Sequence, residues 1–208
     1  DILYNFDIDE EAIELAYRIQ AEKKFGFYSD GGYPSAFNAG AEYYLNTLFD
    51  NELKKTNKKT YQEMMFEAAE LKYDREMPKI YLNEKNRKYA TDFIIKNRIN
   101  KNKLIGIQMG AGSRWPSKAW SKNRMKEFIK KIKKMGYEIL IFSGPNEIGK
   151  IDKLMNELNK NKIKAYRSNT KDSIKNFAAL VECCEKMICS DSFALHIALA
   201  LRIKTIGL

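Results

Sequence analysis

From residue 104 to the end of the chain, short apolar runs alternate with amphipathic stretches, and the segments between them are short. The apolar runs fall at 104–109, 137–142, 163–166, 187–189 and 204–208. The stretches between, 121–135, 147–160, 173–184 and 192–201, carry apolar residues at helical spacing. Met125, Phe128, Ile129, Ile132 and Met135 make the stripe of the first helix, which Gly136 stops. Ile174, Phe177, Ala178, Val181 and Cys184 make that of the third, with Asp172 as its cap. Strands joined by single helices run parallel through right-handed crossovers. The alternation therefore predicts a doubly wound α/β domain, whose ligands bind at the carboxyl ends of the strands.

The residues before 104 constrain the fold less. Residues 1–9 suit a strand, and Glu10 and Glu11 open a helix to about Lys24 with Ala12, Leu15, Ala16 and Ile19 on one face. A short strand at 25–28 ends in Ser29-Asp30-Gly31-Gly32. Residues 33–58 read as irregular around a helix at 39–49, with a polar loop at 54–59. Thr60-Tyr61-Gln62-Glu63 has capping-box form and leads a helix carrying Met64, Ala68 and Leu71. Pro78 starts a linker-like stretch before a helix at 84–97 with Tyr89, Phe93 and Ile94 on its apolar side. The expected domains are residues 1–99 and 100–208. The chain opens on Asp1 and closes on Leu208, each inside an expected strand, which suggests a fragment of a longer protein.

The strand-end rule says where chemistry belongs. After the first strand of the second half come Gly110, Ala111, Gly112, Ser113, Arg114 and Lys118, just before a helix. Small residues let backbone N–H groups approach phosphate oxygens, and the helix N-terminus adds partial positive charge. Lys118 then either neutralises a diphosphate or is a plain surface lysine, and Arg114 is either a second phosphate contact or solvated. After the second strand come Ser143, Gly144 and Glu147; Glu147 either complements a helix dipole or binds ribose hydroxyls. After the fourth come Ser190, Asp191 and Ser192, a helix cap that also exposes N–H groups to an anion. His196, the single histidine, is either a packing residue or, one turn from Ser192, a partner of that loop or its ligand. Trp115 and Trp120 read as packing residues that fix the loop or, less favoured, as contacts to a base or sugar.

Several classes are disfavoured. No apolar run approaches the ~20 residues of a transmembrane helix. Cys183, Cys184 and Cys189 lack metal-ligand spacing and read as reduced core residues. No nucleophile–base pair, metal site or G-x-x-x-x-G-K-[ST] loop is visible. The net charge of +10 attracts anions or an anionic membrane face, but lysines spread over several helices, without a basic–aromatic stripe, argue against nucleic acid.

Residues 109–120, Met-Gly-Ala-Gly-Ser-Arg-Trp-Pro-Ser-Lys-Ala-Trp, resemble the Pro-Gly-Ala…Lys-x-Trp signature of glycosyltransferase family 9, the heptosyltransferase-like enzymes. Ile-Phe-Ser-Gly-Pro-Asn-Glu (141–147) is similar to that family's strand ending in Gly with a nearby Glu. Ser-Asp-Ser-Phe-Ala-Leu-His-Ile-Ala (190–198) is similar to its Asp-[Ser/Thr]-Gly-x-x-His-x-Ala motif. The order and spacing agree over about residues 104–208. The resemblance implies a GT-B fold: two Rossmann-like domains with parallel sheets, the N-terminal one incomplete here and acting on the acceptor side. It implies metal-free, inverting transfer of a sugar, heptose or similar, from a donor such as ADP-heptose to a lipopolysaccharide-core or other cell-surface glycan or glycolipid. It also implies a cytoplasmic place, with peripheral contact at the inner membrane face and no cofactor beyond the donor substrate. On that pattern Ser113 and Lys118 hold the diphosphate, Asp191 and Ser192 the donor sugar and phosphate, and Glu147 the nucleoside ribose, while His196 supports the phosphate loop and Gly110, Ala111, Gly112 and Gly144 also bind the donor. Lys118 and Asp191 act in catalysis.

This sequence departs from the pattern at Met109, where the family has Pro, and at Phe193, where it has Gly. The family's acidic base lies in a loop that would precede Asp1. A fragment inactive by itself is therefore expected, and a non-catalytic nucleotide-sugar-binding module is the alternative.

Overall fold

The computed structural model describes residues 1–108, 110 and 120–208. It divides into two compact units, Asp1–Glu76 and Met77–Leu208. In the first unit, β1 (Ile2–Asn5), α1 (Glu10–Arg18) and β2 (Lys23–Asp30) are followed by β3 (Tyr33–Ala36), α2 (Ala39–Phe49), α3 (Asn51–Thr56) and α4 (Tyr61–Ala68). β1 pairs parallel with β2, and β2 antiparallel with β3. Gly31 and Gly32 have φ of +59° and +87°, the two left-handed residues a tight hairpin requires. β3 and α3 thus occupy residues expected to be loop. The capping box of α4 is formed, Glu63 N–H donating to Thr60 Oγ1 at 3.2 Å and Thr60 N–H to Glu63 Oε2 at 2.6 Å. Helix α1 stops at Arg18 and buries Ile13 and Ala16 rather than Leu15 and Ile19, because that face meets β2. Leu71 lies beyond α4 and is exposed.

The second unit contains α5 (Glu84–Asn97), β4 (Leu104–Gln108), α6 (Lys122–Lys134), β5 (Glu138–Phe142), α7 (Ile148–Lys160), β6 (Tyr166–Arg167), α8 (Ile174–Glu182), β7 (Lys186–Cys189), α9 (Phe193–Ala200) and β8 (Lys204–Gly207). Its sheet has the order β6-β5-β4-β7-β8 with every pair parallel. The three central strands, β5, β4 and β7, are buried on both faces, as a parallel sheet between helix layers requires, while the edge strand β8 is largely exposed. Leu104, Leu140 and Phe142 pack with α8 and α9 on one side. Ile105, Ile107, Ile139 and Ile141 pack with α6 and α7 on the other. Trp120 packs there too, its ring 5.0 Å from that of Phe128. Helix α5 joins this unit through Asn86 Nδ2, which donates to Asn176 Oδ1 at 2.9 Å, and through Arg87, paired with Glu182. The break between units therefore falls at 76/77, ahead of the residue 99/100 boundary suggested by the sequence.

Three local expectations shift. Met135, past the end of α6, is 70% exposed, and Ile174, at the start of α8, is 60% exposed. The third strand of the sheet is Tyr166–Arg167 rather than 163–166. Ser173, not Asp172, caps α8, its hydroxyl accepting from Asn176 N–H at 3.2 Å. Among the described residues no helix is long and apolar enough to cross a membrane.

On the outer face, Glu157 of α7 accepts hydrogen bonds from Lys122 and Lys126 of α6, and these hold its carboxyl at about 2, below the ordinary 4.5. A carboxylate with a depressed folded pKa adds stability above its unfolded value and loses it as pH falls through the folded one. Glu157→Gln is therefore expected to lower the melting temperature at pH 7 and to match the parent near pH 2. Melting curves across that window check it; an equal deficit at both ends would refute the pairing.

Candidate functional site

The strand order turns at the centre of the second sheet. From β4 the chain moves outward through β5 and β6, then returns to the other side of β4 for β7 and β8. In such a sheet the ligand crevice lies at the carboxyl edge, at the switch point between β4 and β7. A cleft of about 480 Å³ lies there, lined by residues from the ends of β4, β5 and β6 and by the start of α9.

Its floor is built around Glu147. The Oε2 of this residue accepts from Gly144 N–H at 2.8 Å and from Gln108 Nε2 at 3.3 Å, tying the end of β5 to that of β4. The carboxylate sits where a side chain at position 110 would be: a Cβ on Gly110 would lie 1.0 Å from Glu147 Oε1. Gly110 is thus required by the carboxylate packed over it. Its carbonyl accepts from the buried Ser190 hydroxyl at 3.2 Å, which ties Gly110 to the residue that follows β7.

Seven buried side-chain oxygens lack a hydrogen-bond partner among the described residues, and four of them belong to this cleft: Gln108 Oε1, Ser143 Oγ, Asp172 Oδ2 and Ser192 Oγ. Buried polar atoms are almost always paired, so their convergence on one concavity marks a place for a polar ligand. Ser192 is in extended conformation at the N-cap of α9 and spends no side-chain bond on that helix. Its hydroxyl and the first N–H groups of α9 are left to bind an anion.

At the β6 end, Tyr89 of α5 donates its hydroxyl to Asp172 Oδ1 at 2.6 Å. Burial raises the Asp172 pKa, against the lowering effect of its hydrogen bonds. Burial, then the bond to Asp172, pushes the Tyr89 phenol up to about 12. The adjoining wall is apolar. Phe193, 51% exposed, has its ring 5.5 Å from Phe177, and Phe177 meets the buried Phe142 at 5.0 Å.

Of the residues singled out in the sequence, Gly110, Ser143, Gly144, Glu147, Ser192 and Phe193 line this cleft. Glu147 closes the turn that precedes α7, as a helix-start carboxylate would, and it also binds across to β4. Asp191 and His196 are exposed and are not among the described lining residues. Ala111, Gly112, Ser113, Arg114, Trp115 and Lys118, like Met109, lie outside the described residues. Gln108, Asn169 and Asp172 line the cleft and were missed as site residues. The available signal was the polar run Asn169-Thr170-Lys171-Asp172 just past the third strand of a parallel sheet. The described lining carries two carboxylates and no lysine or arginine, so a bound diphosphate needs cationic charge from elsewhere.

The sequence profile of glycosyltransferase family 9 (heptosyltransferase) matches residues 15–208. The structure is similar to that of a family 9 glycosyl transferase from Veillonella parvula: TM-score 0.75, 18% identity, covering 100% of this chain and 56% of that one. It is also similar to ADP-heptose lipopolysaccharide heptosyltransferase II of E. coli: TM-score 0.56, 19% identity, covering 67% of this chain and 42% of that one. This chain therefore spans about half the length of these solved structures. At such identities the likeness shows a shared α/β fold with parallel sheets. No curated protein sequence matches significantly.

Proposed function

The chain belongs to glycosyltransferase family 9, and from that premise we propose that it carries the nucleotide-sugar-binding half of an inverting glycosyltransferase with the GT-B arrangement. The second unit is the donor side and the first unit the acceptor side. The donor is a nucleoside diphosphate sugar, a heptose or similar, and the acceptor a lipopolysaccharide-core or other cell-surface glycan at the cytoplasmic membrane face. The observation that carries this reading is the cleft at the sheet's switch point, where four unpartnered buried oxygens and the N-terminus of α9 converge.

An acceptor hydroxyl attacks the anomeric carbon as the bond to the diphosphate oxygen breaks, and a base takes the hydroxyl proton; no residue of this chain is assigned that role. Charge accumulates on the departing diphosphate. Ser192 and the first N–H groups of α9 lie ready to share it. Lys118, with Ser113 and the backbone of residues 110–113, supplies the cation that the described wall lacks. Glu147 holds Gly144 and Gln108 in place and faces the donor nucleoside. Asp191 contacts donor sugar and phosphate, and His196 supports that loop.

Lys118→Ala in the intact protein is expected to slow transfer by about 100-fold or more, since donors aimed at developing charge typically supply that much, and to weaken donor binding. Unchanged transfer and unchanged affinity would remove Lys118 from the mechanism. Donor binding by the parent without any turnover would favour a non-catalytic binding module, which the bulky Phe193 also motivates.

A further inference from the structure

We propose that the outer face of the α6–α7 layer is a docking surface for an anionic lipid membrane. The proposed function puts the acceptor at a membrane face; it does not say which face of this chain meets that membrane.

Charge is distributed unevenly over the second unit. Residues 122–164, which span α6, β5 and α7, hold twelve Lys and Arg against five Asp and Glu, a net +7 of the chain's +10. The helices on the other side of the sheet, α5, α8 and α9, lie within residues 84–97 and 173–202, which hold seven against five. A general abundance of lysine would load both sides alike.

Fold stability accounts for only part of the excess. Lys122 and Lys126 pair with Glu157, Lys130 with Glu127 and Lys133 with Glu138. Arg124, Lys131 and Lys134 of α6 and Lys150, Lys153 and Lys160 of α7 are exposed and form no ion pair among the described residues. Lys131, Lys134 and Lys160 stand near helix C-termini, where the helix dipole favours cations. Arg124 and Lys150 stand in first turns, where the dipole opposes them, and neither helix has an acidic residue there. Arg124, Lys131 and Lys134 recur at i, i+7 and i+10, so they share one side of α6. The exposed Met135 follows them and adds an apolar group at the same edge.

This chemistry names the partner. An anionic leaflet attracts lysines through its surface potential and asks for no fixed geometry. Five of the six unpaired cations named above are lysines. A nucleic-acid backbone is better met by Arg forks and by aromatic rings on which bases stack. Residues 122–164 contain a second arginine-poor feature of this kind: one Arg within α6, and no exposed aromatic ring. The layer covers a face of the sheet, whereas the cleft opens at the carboxyl edge, so a docked layer leaves the cleft mouth clear.

Sedimentation of the intact protein with vesicles tests this. Phosphatidylcholine vesicles with about one-third phosphatidylglycerol are expected to bind it at about 0.1 M salt, and phosphatidylcholine alone not to. Salt of about 1 M, which shortens the screening length to about 3 Å, should abolish that binding. Each Lys or Arg near such a surface contributes about fivefold. Arg124→Gln, Lys131→Gln and Lys134→Gln together are thus expected to weaken binding about 100-fold, and Lys150→Gln with Lys153→Gln about 25-fold. Lys85→Gln, Lys96→Gln and Lys175→Gln together remove the same charge from exposed positions on α5 and α8 and should stay within about threefold of the parent. No binding to the anionic vesicles, binding that ignores lipid charge, or an equal loss in the α5–α8 variant overturns the proposal. Single-stranded RNA that binds more tightly than the vesicles, and is released by the α6 substitutions, gives the layer to nucleic acid and overturns it too. Nucleotide binding reads the donor cleft separately, so the two readings fail independently.

Discussion

Gly110→Ala and Glu147→Ala are each expected to cost about 2 kcal/mol alone, and scarcely more when combined, the size of a lost hydrogen bond to a charged group. A methyl group at position 110 would sit 1.0 Å from Glu147 Oε1 and 2.0 Å from its Cδ, so the carboxylate must leave. It leaves behind Gly144 N–H and Gln108 Nε2, the two donors it now serves. Glu147→Ala strands the same two donors by a different route. Once the carboxylate is gone, however, the alanine methyl at 110 enters the space it vacated, since the three atoms nearest to it all belong to Glu147. The two losses are one loss counted twice, and the coupling energy should nearly equal either single effect. Urea unfolding of the parent, both single variants and the double variant measures it. Additive costs would mean that Gly110 and Glu147 act separately and that the carboxylate is not the keystone between the ends of β4 and β5. All three variants should also weaken nucleotide binding by at least about tenfold, because Gln108, freed from Glu147, no longer holds its orphan Oε1 at the cleft wall.

The cycle probes a feature of which only half was legible in the sequence. Glu147 stood out because it follows an apolar run and a glycine, and both of its expected uses were open from position alone. That it binds backward to the previous strand depends on β4 and β5 being neighbours in register, Gln108 beside Phe142. Most strands and helices from 104 to 208 were legible because short apolar runs alternate there with amphipathic stretches; the two-residue β6 was placed too early. β3 was not. Tyr33-Pro34-Ser35-Ala36 has little strand character by itself and becomes a strand only because Gly31-Gly32 folds it back on β2. Asp172 was read as a helix cap, a role that Ser173 takes. Its interest lies in what its second oxygen lacks, and an unmet hydrogen bond has no trace in a sequence. The tyrosine that holds its first oxygen is 83 residues away along the chain.

Gly26→Ala is expected to unfold the first unit and to leave nucleotide binding within about twofold of the parent, a difference under ~0.5 kcal/mol. Gly26 has φ of +91°, and a Cβ there would lie 1.8 Å from the backbone oxygen of Asn5. The colliding atom belongs to the paired strand, since Asn5 and Gly26 are partners in the β1–β2 register. No side-chain rotation relieves the clash; the two strands must separate. A left-handed backbone imposed on alanine adds about 1–2 kcal/mol, and loss of strand pairing brings the total to about 4 kcal/mol or more. The unit has a small core of Ile13, Phe27, Ala41, Leu45 and Ala68. A domain of its size holds roughly 4–11 kcal/mol in all, so the substitution takes a large share of it. The cleft residues, by contrast, all lie beyond residue 76. Limited proteolysis should therefore cut within the first unit while calorimetry still reads a nucleotide affinity close to that of the parent, and transfer should be lost if the first unit is the acceptor side, as proposed. Loss of nucleotide binding along with the first unit would show that the donor site is not confined to residues 77–208. Transfer that survives would show that the first unit does not hold the acceptor.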